Sequence, residues 1–89
     1  MEGLTKAAAL EVAESGVRAN VVAPGPIETG MLNRFTGTAA KKAALVAGVP
    51  MERVGTPEEI AQTILFVASD KASFITGASI AVDGGKLAR

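Results

Sequence analysis

Two β-branched, mostly apolar segments, VRANVVA at 17–23 and one at about 79–82, stand more than fifty residues apart, with helix and loop patterns between them. That separation excludes a hairpin. Strands so placed meet through a crossover, and a crossover pairs them in parallel. The first segment lacks clean alternation, as a strand covered on both faces does. The fold class that follows is α/β. Only Arg18 and Asn20 interrupt the apolar run; both fall on one side, and if buried they need hydrogen-bond partners.

The helices are legible from their ends. Residues 2–14 are rich in Ala, and Gly16 sits where a C-terminal cap belongs. Their apolar positions cover most of the circumference, so this helix expects burial on two sides: between a sheet and a loop, or between a sheet and a second subunit. From Pro24 to about Gly37 the residues have loop chemistry. A short helix then follows Thr38 and ends at GVP, 48–50. The next helix has the fullest signature, with Thr56 as cap, Pro57 in first position and Glu59 completing a capping box. Ile60, Ala61, Ile64, Leu65 and Ala68 line one of its faces. Glu58 and Glu59 resemble an acid–base pair, but first-turn carboxylates are favoured by the helix dipole without any catalytic role. Asp83 precedes Gly84-Gly85 and reads as a turn residue rather than a ligand.

Composition removes several function classes. The chain has 89 residues, nine basic and nine acidic, with the basic ones scattered and no Trp or Tyr to stack on bases, so nucleic acid is not an expected partner. There is no Cys and no His, which excludes disulfides, structural zinc and a His-based triad. Apolar runs such as ILFVA at 64–68 are too short to span a bilayer, and Glu2 and Lys6 interrupt the stretch a signal peptide would keep apolar. The expectation is a soluble, cytoplasmic protein with no membrane contact. One small domain is the limit, and its core must be aliphatic, since the only aromatic residues are three Phe.

The loop after the first strand is where a ligand site belongs, because open α/β sheets bind ligands outside the carboxyl ends of their strands. Pro24 ends the ladder, Gly25 clears space and Pro26 stiffens the turn. The Ile27 backbone offers one donor and one acceptor, and the Thr29 hydroxyl does either job. Such a set suits a carboxamide or a phosphate oxygen, although a Pro-Gly-Pro sequence is more often only a turn.

Several motifs occur in order: the Ala-rich helix, Gly16-x-Arg18-x-Asn20, Pro24-Gly25, Pro50-x-x-Arg53-x-Gly55-x-Pro57-Glu58-Glu59, Thr76-Gly77 and Val82-Asp83-Gly84-Gly85. In this combination the chain resembles the C-terminal portion of a short-chain dehydrogenase/reductase over essentially its whole length. The resemblance implies a partial Rossmann-like, doubly wound fold, one partial domain over residues 1–89 with a substrate-lid region at 27–55. It also implies hydride transfer between NAD or NADP and an alcohol or carbonyl carbon of a small-molecule substrate. Pro24 and Gly25 would shape the pocket floor, Ile27 would pair with the nicotinamide carboxamide, and Thr29 would bond the carboxamide or the adjacent phosphate. Met31, Leu32 and Phe35 would belong to the lid. Helices 2–14 and 57–68 resemble the family's subunit interfaces, so a homo-oligomer is expected.

The departures matter as much. The family's glycine-rich phosphate turn does not occur here, and its Ser, Tyr and Lys catalytic set has no counterpart; there is no Tyr at all. The expected catalytic residues are therefore none, the isolated chain is expected to be inactive, and its cofactor binding weak or absent. A truncated product or a misplaced start would account for this pattern. The first strand, without the strand that precedes it in the family, would present an unpaired apolar edge. The alternative reading is a non-enzymatic dimerisation or interaction module that keeps the interface helices. Substrate identity and the choice between NAD and NADP lie outside what these residues specify.

Overall fold

The computed structural model describes residues 2–88, without the side chains of residues 31, 35 and 36. Helix α1, Glu2–Val12, tightens into a 3-10 turn at Ala13–Ser15. Gly16 ends it at φ +77°, its N–H donating to the Ala13 carbonyl at 3.1 Å. That left-handed conformation suits glycine, as the cap signature anticipates.

Strand β1 is Val21–Pro24, shorter at its start than the 17–23 segment and one residue longer at its end. Residues 17–20 spend their polar groups otherwise. The Ala19 N–H donates to Thr76 Oγ1 at 3.2 Å, and the Asn20 side chain donates to the Ile75 carbonyl and accepts from the Ala78 N–H, both at 3.0 Å. β2 is Ser79–Val82, and the two strands pair in parallel from Val21↔Ser79 to Pro24↔Val82. Val21 donates to the Ala78 carbonyl just before β2 and Gly25 to the Val82 carbonyl at its end, at 2.9 and 3.0 Å, so by alternation Val22 and Pro24 turn their backbone polar groups to the other edge. Pro24 is thereby accommodated inside the strand rather than stopping it, because its missing N–H faces away from the partner.

Helices cover both faces of this small sheet. The α1 side is marked by Glu2, which accepts from the Ser79 hydroxyl at 2.7 Å. Helix α4, Pro57–Ala68, lies opposite and shares a groove with Val22 through Ile64 and Val67. Arg18 secures its end: the guanidinium donates to the carbonyls of Val67, Ser69 and Ile75 at 2.8, 3.2 and 3.0 Å. A cation at a helix C-terminus, satisfying carbonyls left without intrahelical partners, is favoured twice over. Arg18 and Asn20 thus have the structural partners that burial demands.

One expected loop is helical. Gly30–Thr36 forms α2, capped by Thr29, whose hydroxyl accepts from the Leu32 N–H at 3.1 Å. Helix α3, Ala39–Ala47, is capped by Thr38 in the same way at 3.2 Å. The buried apolar residues are Ala9, Val49, Val67 and Ala72, while Leu4, Leu10, Ile64, Leu65 and Phe66 remain exposed. The inward face of α4 is therefore Ile60, Thr63 and Val67, and of the stripe read from the sequence Leu65 looks outward while Ile64, at the edge of the groove, is half-exposed. The accessible surface of 6237 Å² exceeds the roughly 4,900 Å² of a compact monomer of this mass. The radius of gyration, 15.6 Å, likewise exceeds the roughly 12 Å of a compact domain of this length. No helix of the described residues is long and apolar enough to cross a membrane.

Candidate functional site

The segment after β1 is held from two sides. Gly25 lies against the end of β2: a Cβ there would stand 2.7 Å from the Asp83 Cβ and 2.8 Å from its Cα. The glycine is thus required by strand packing, whatever else approaches it. Two residues on, Ile27 forms an isolated parallel bridge with Gly55. The Gly55 N–H donates to the Pro26 carbonyl at 2.9 Å and the Glu28 N–H to the Gly55 carbonyl at 2.8 Å. In this pattern the bonds belong to the neighbours of Ile27, and the N–H and C=O of Ile27 itself point to the opposite side.

The anticipated residues separate into two places. Pro24 and Gly25 line a crevice of about 310 Å³ outside the carboxyl ends of both strands, with Asp83, Lys86 and Leu87. The Ile27 side chain instead lines a cavity of about 360 Å³, walled by Met51, Gly55, Ile60 and Val82. Its Cδ1 would stand 2.9 Å from a Cβ on Gly55, so the glycine is what admits it. Thr29 is exposed, and its hydroxyl oxygen already accepts from Leu32. That bond uses one of the two lone pairs of the hydroxyl oxygen, so both roles the sequence allowed remain open to it. Leu32 is half-buried on α2; the Met31 and Phe35 side chains lie outside the described residues.

Residues missed by motif reading knit this region together. Glu28 accepts from Lys42 of α3 at 2.6 Å, and the same ammonium donates to Asn33 of α2 at 3.1 Å. The Lys42 bond, then that of Asn33, holds the Glu28 carboxyl below its ordinary value. Nothing in the spacing 28–33–42 follows one helical period, so no local pattern announced it. The far end of the α2–α3 excursion is anchored as well: the Met51 N–H donates to the Gly84 carbonyl at 3.0 Å, and Val49 is fully buried. Gly84, at φ +65°, would place a Cβ 2.6 Å from Val49 Cγ1.

Arg53 and Glu59 form a bidentate pair, Nη1 and Nη2 reaching Oε1 and Oε2 at 2.8 Å each. Glu59 Oε1 also accepts from the Thr56 N–H at 2.9 Å, completing the capping box. The Arg53 bond, then the Thr56 backbone, hold the Glu59 carboxyl at about 2. Glu59 therefore remains ionised and occupied near neutrality, which suits structure rather than proton transfer. Asp83 spends both oxygens on turn amides, accepting from Gly85 at 2.9 Å and Leu87 at 3.1 Å. Among the described residues no group of His, Cys, Asp or Glu is arranged to hold a metal ion.

A family model described as enoyl-(acyl carrier protein) reductase matches residues 1–86. Cyclohexanol dehydrogenase of Acinetobacter sp. strain SE19 is 49% identical over 92% of this chain and 31% of its own length. The 3-oxoacyl-[acyl-carrier-protein] reductase FabG of Thermotoga maritima is 47% identical over 93% of this chain and 33% of its own. The crystal structure of YwfH, an NADPH-dependent reductase, superposes with a TM-score of 0.89 at 32% identity, covering 96% of this chain and 35% of that one. The chain thus spans about a third of the length of the relatives it matches. Its two parallel strands and flanking helices are part of a Rossmann-like α/β fold. The chain belongs to the short-chain dehydrogenase/reductase family of oxidoreductases.

Proposed function

We propose that these residues supply the nicotinamide side of an NAD(P)-dependent alcohol or carbonyl oxidoreductase. The observation that carries this reading is the Ile27↔Gly55 bridge, which turns the Ile27 N–H and C=O together away from Gly55. One donor and one acceptor on one extended residue match the two polar ends of a carboxamide. The Thr29 O–H donates to the carboxamide oxygen or to a phosphate oxygen, and Pro24 and Gly25 form the floor of the adjoining crevice. The nicotinamide group, when bound, supplies the hydride acceptor or donor; the chain's own part is to orient it. Segment 27–55, with Met31, Leu32 and Phe35, serves as the lid over a small-molecule substrate in the cytoplasm.

No group here takes the proton that must move with the hydride. The chain has neither Tyr nor His, and Glu28, Glu59 and Asp83 are each committed to bonds within the fold. The 89 residues alone are therefore catalytically silent and bind the cofactor weakly. Titrating ¹⁵N-labelled chain with NADH, NADPH and nicotinamide mononucleotide tests the reading. Selective shifts at the Ile27 and Thr29 amides support it, and a flat response at both up to millimolar ligand removes it.

A second reading, a non-enzymatic interaction module, rests on the exposed Leu4 and Leu10 of α1 and Ile64, Leu65 and Phe66 of α4. The surplus of accessible surface, about 1,300 Å², exceeds the roughly 800 Å² that one partner contributes to a standard subunit contact. Both readings lead to a homo-oligomer through these two helices. Mixing the chain with a full-length relative tests the module reading directly: hybrid dimers formed without cofactor support it, and their absence removes it.

A further inference from the structure

The geometry points to Arg53 and Glu59 as positioning residues for the Ile27 peptide, acting through Gly55. This rests on the assignment of Ile27 to the cofactor. The Glu59 carboxylate takes two bonds from Arg53 and one from the Thr56 N–H. Arg53 Nη1 also donates to the Val54 carbonyl at 3.2 Å. One side chain of α4 thereby fixes residues on both sides of Gly55. Gly55, free of a side chain, has the most backbone freedom in this segment and would otherwise rotate readily. Held at 53, 54 and 56, it presents its N–H and C=O to Pro26 and Glu28, which flank Ile27 in turn. The capping box alone would require only Thr56 and Glu59. The guanidinium fork is additional, and every bond it makes within this network falls on residue 54 or 59.

An exposed ion pair contributes little to global stability, so its effect is confined to the segment it fixes. Three variants separate that role from helix capping. Arg53→Gln leaves the cap intact. Glu59→Gln keeps an acceptor for the Thr56 N–H while removing the charge, and the double variant tests whether the two act as one unit. The measurement is amide hydrogen exchange of the 89-residue chain, resolved by residue. The expected result is about two- to fivefold faster exchange at Gly55 and Glu28, the size an exposed pair supports. Protection at Val67 and Ala23 stays unchanged, and the double variant is no faster than either single one. Arg53→Lys, which keeps the charge without the fork, falls between. Unchanged exchange at Gly55 and Glu28 overturns the inference. So does uniform acceleration across the chain, which would make the pair a general stabiliser. A parallel NADH titration reads the two assignments apart: a wild-type chain whose Ile27 amide ignores NADH removes the cofactor assignment, while the exchange pattern still decides whether the pair holds the bridge.

Discussion

Adding a single methyl at residue 25 tests why glycine stands there. An ideal Cβ at Gly25 lies 2.7 Å from Asp83 Cβ and 2.8 Å from Asp83 Cα, about 1 Å inside ordinary carbon contact, which is roughly 3.5–4.0 Å. Gly25 is absent from the residues with positive φ, so alanine meets no backbone penalty and the effect is purely steric. One opposing atom is backbone and the other is a Cβ fixed to it, so neither can swing aside. Relief requires the strand ends to separate, stretching the 3.0 Å bond from the Gly25 N–H to the Val82 carbonyl. Overpacking of this kind costs about 1–3 kcal/mol, and a rigid obstacle favours the upper half, about 2–3 kcal/mol. With a urea slope near 1 kcal/mol/M for a small protein, the midpoint should fall by about 2–3 M. Gly3→Ala is the matched control: nothing lies within 4 Å of its Cβ, and alanine in a helix gains up to about 1 kcal/mol. Circular dichroism during urea unfolding, at two protein concentrations to hold association constant, reads both. A Gly25→Ala midpoint equal to the parent's would refute the packing argument; intact stability with lost NADH-induced shifts would make ligand clearance the reason for the glycine.

Further outcomes follow from the polar contacts. The Glu59 carboxyl sits at about 2 against an ordinary 4.5, so its contribution is complete above the ordinary value and is lost as pH falls through about 2. A carboxyl ¹³C titration with a midpoint near 4.5 would contradict this. Arg18→Ala removes donors from three carbonyls and should cost about 2–3 kcal/mol in urea unfolding, with Arg18→Lys recovering part because it lacks the fork. Lys42→Ala should leave the urea midpoint within about 1 kcal/mol of the parent yet speed limited proteolysis between residues 30 and 48, since the ammonium joins α2 and α3 to Glu28. Equal cleavage rates would remove that tether from the account.

What the sequence announced and what it concealed divide along physical lines. Thr56, Pro57 and Glu59 state a helix start in local chemistry, and the structure builds all three into the cap. The parallel pairing follows from chain separation alone and needs no register information. Helix α2 was hidden because seven residues carry no readable period, and its Gly30, Asn33 and Thr36 are poor helix formers; the Thr29 cap and the terminal Gly37 are its only signals. The start of β1 was misplaced because Ala19 and Asn20 exchange ladder bonds for contacts with residues 75–78, a preference no β-propensity expresses. Within the candidate site, the Pro24–Thr29 loop was legible as a motif. Gly55, its partner across the bridge, was legible only as a glycine within the Pro50–Glu59 motif, because the partnership is tertiary.

The pinch at Ile27 and Gly55 has a consequence for how such proteins diversify. The span from 28 to 54 leaves and returns at this clasp and is pinned again where Met51 meets Gly84, so growth or shrinkage between 29 and 48 need not disturb the bridge. Doubling the length of a closed loop costs only about 0.6 kcal/mol. The span is in effect an exchangeable cassette, whose length can change between its two roots while the bridge stays as it is.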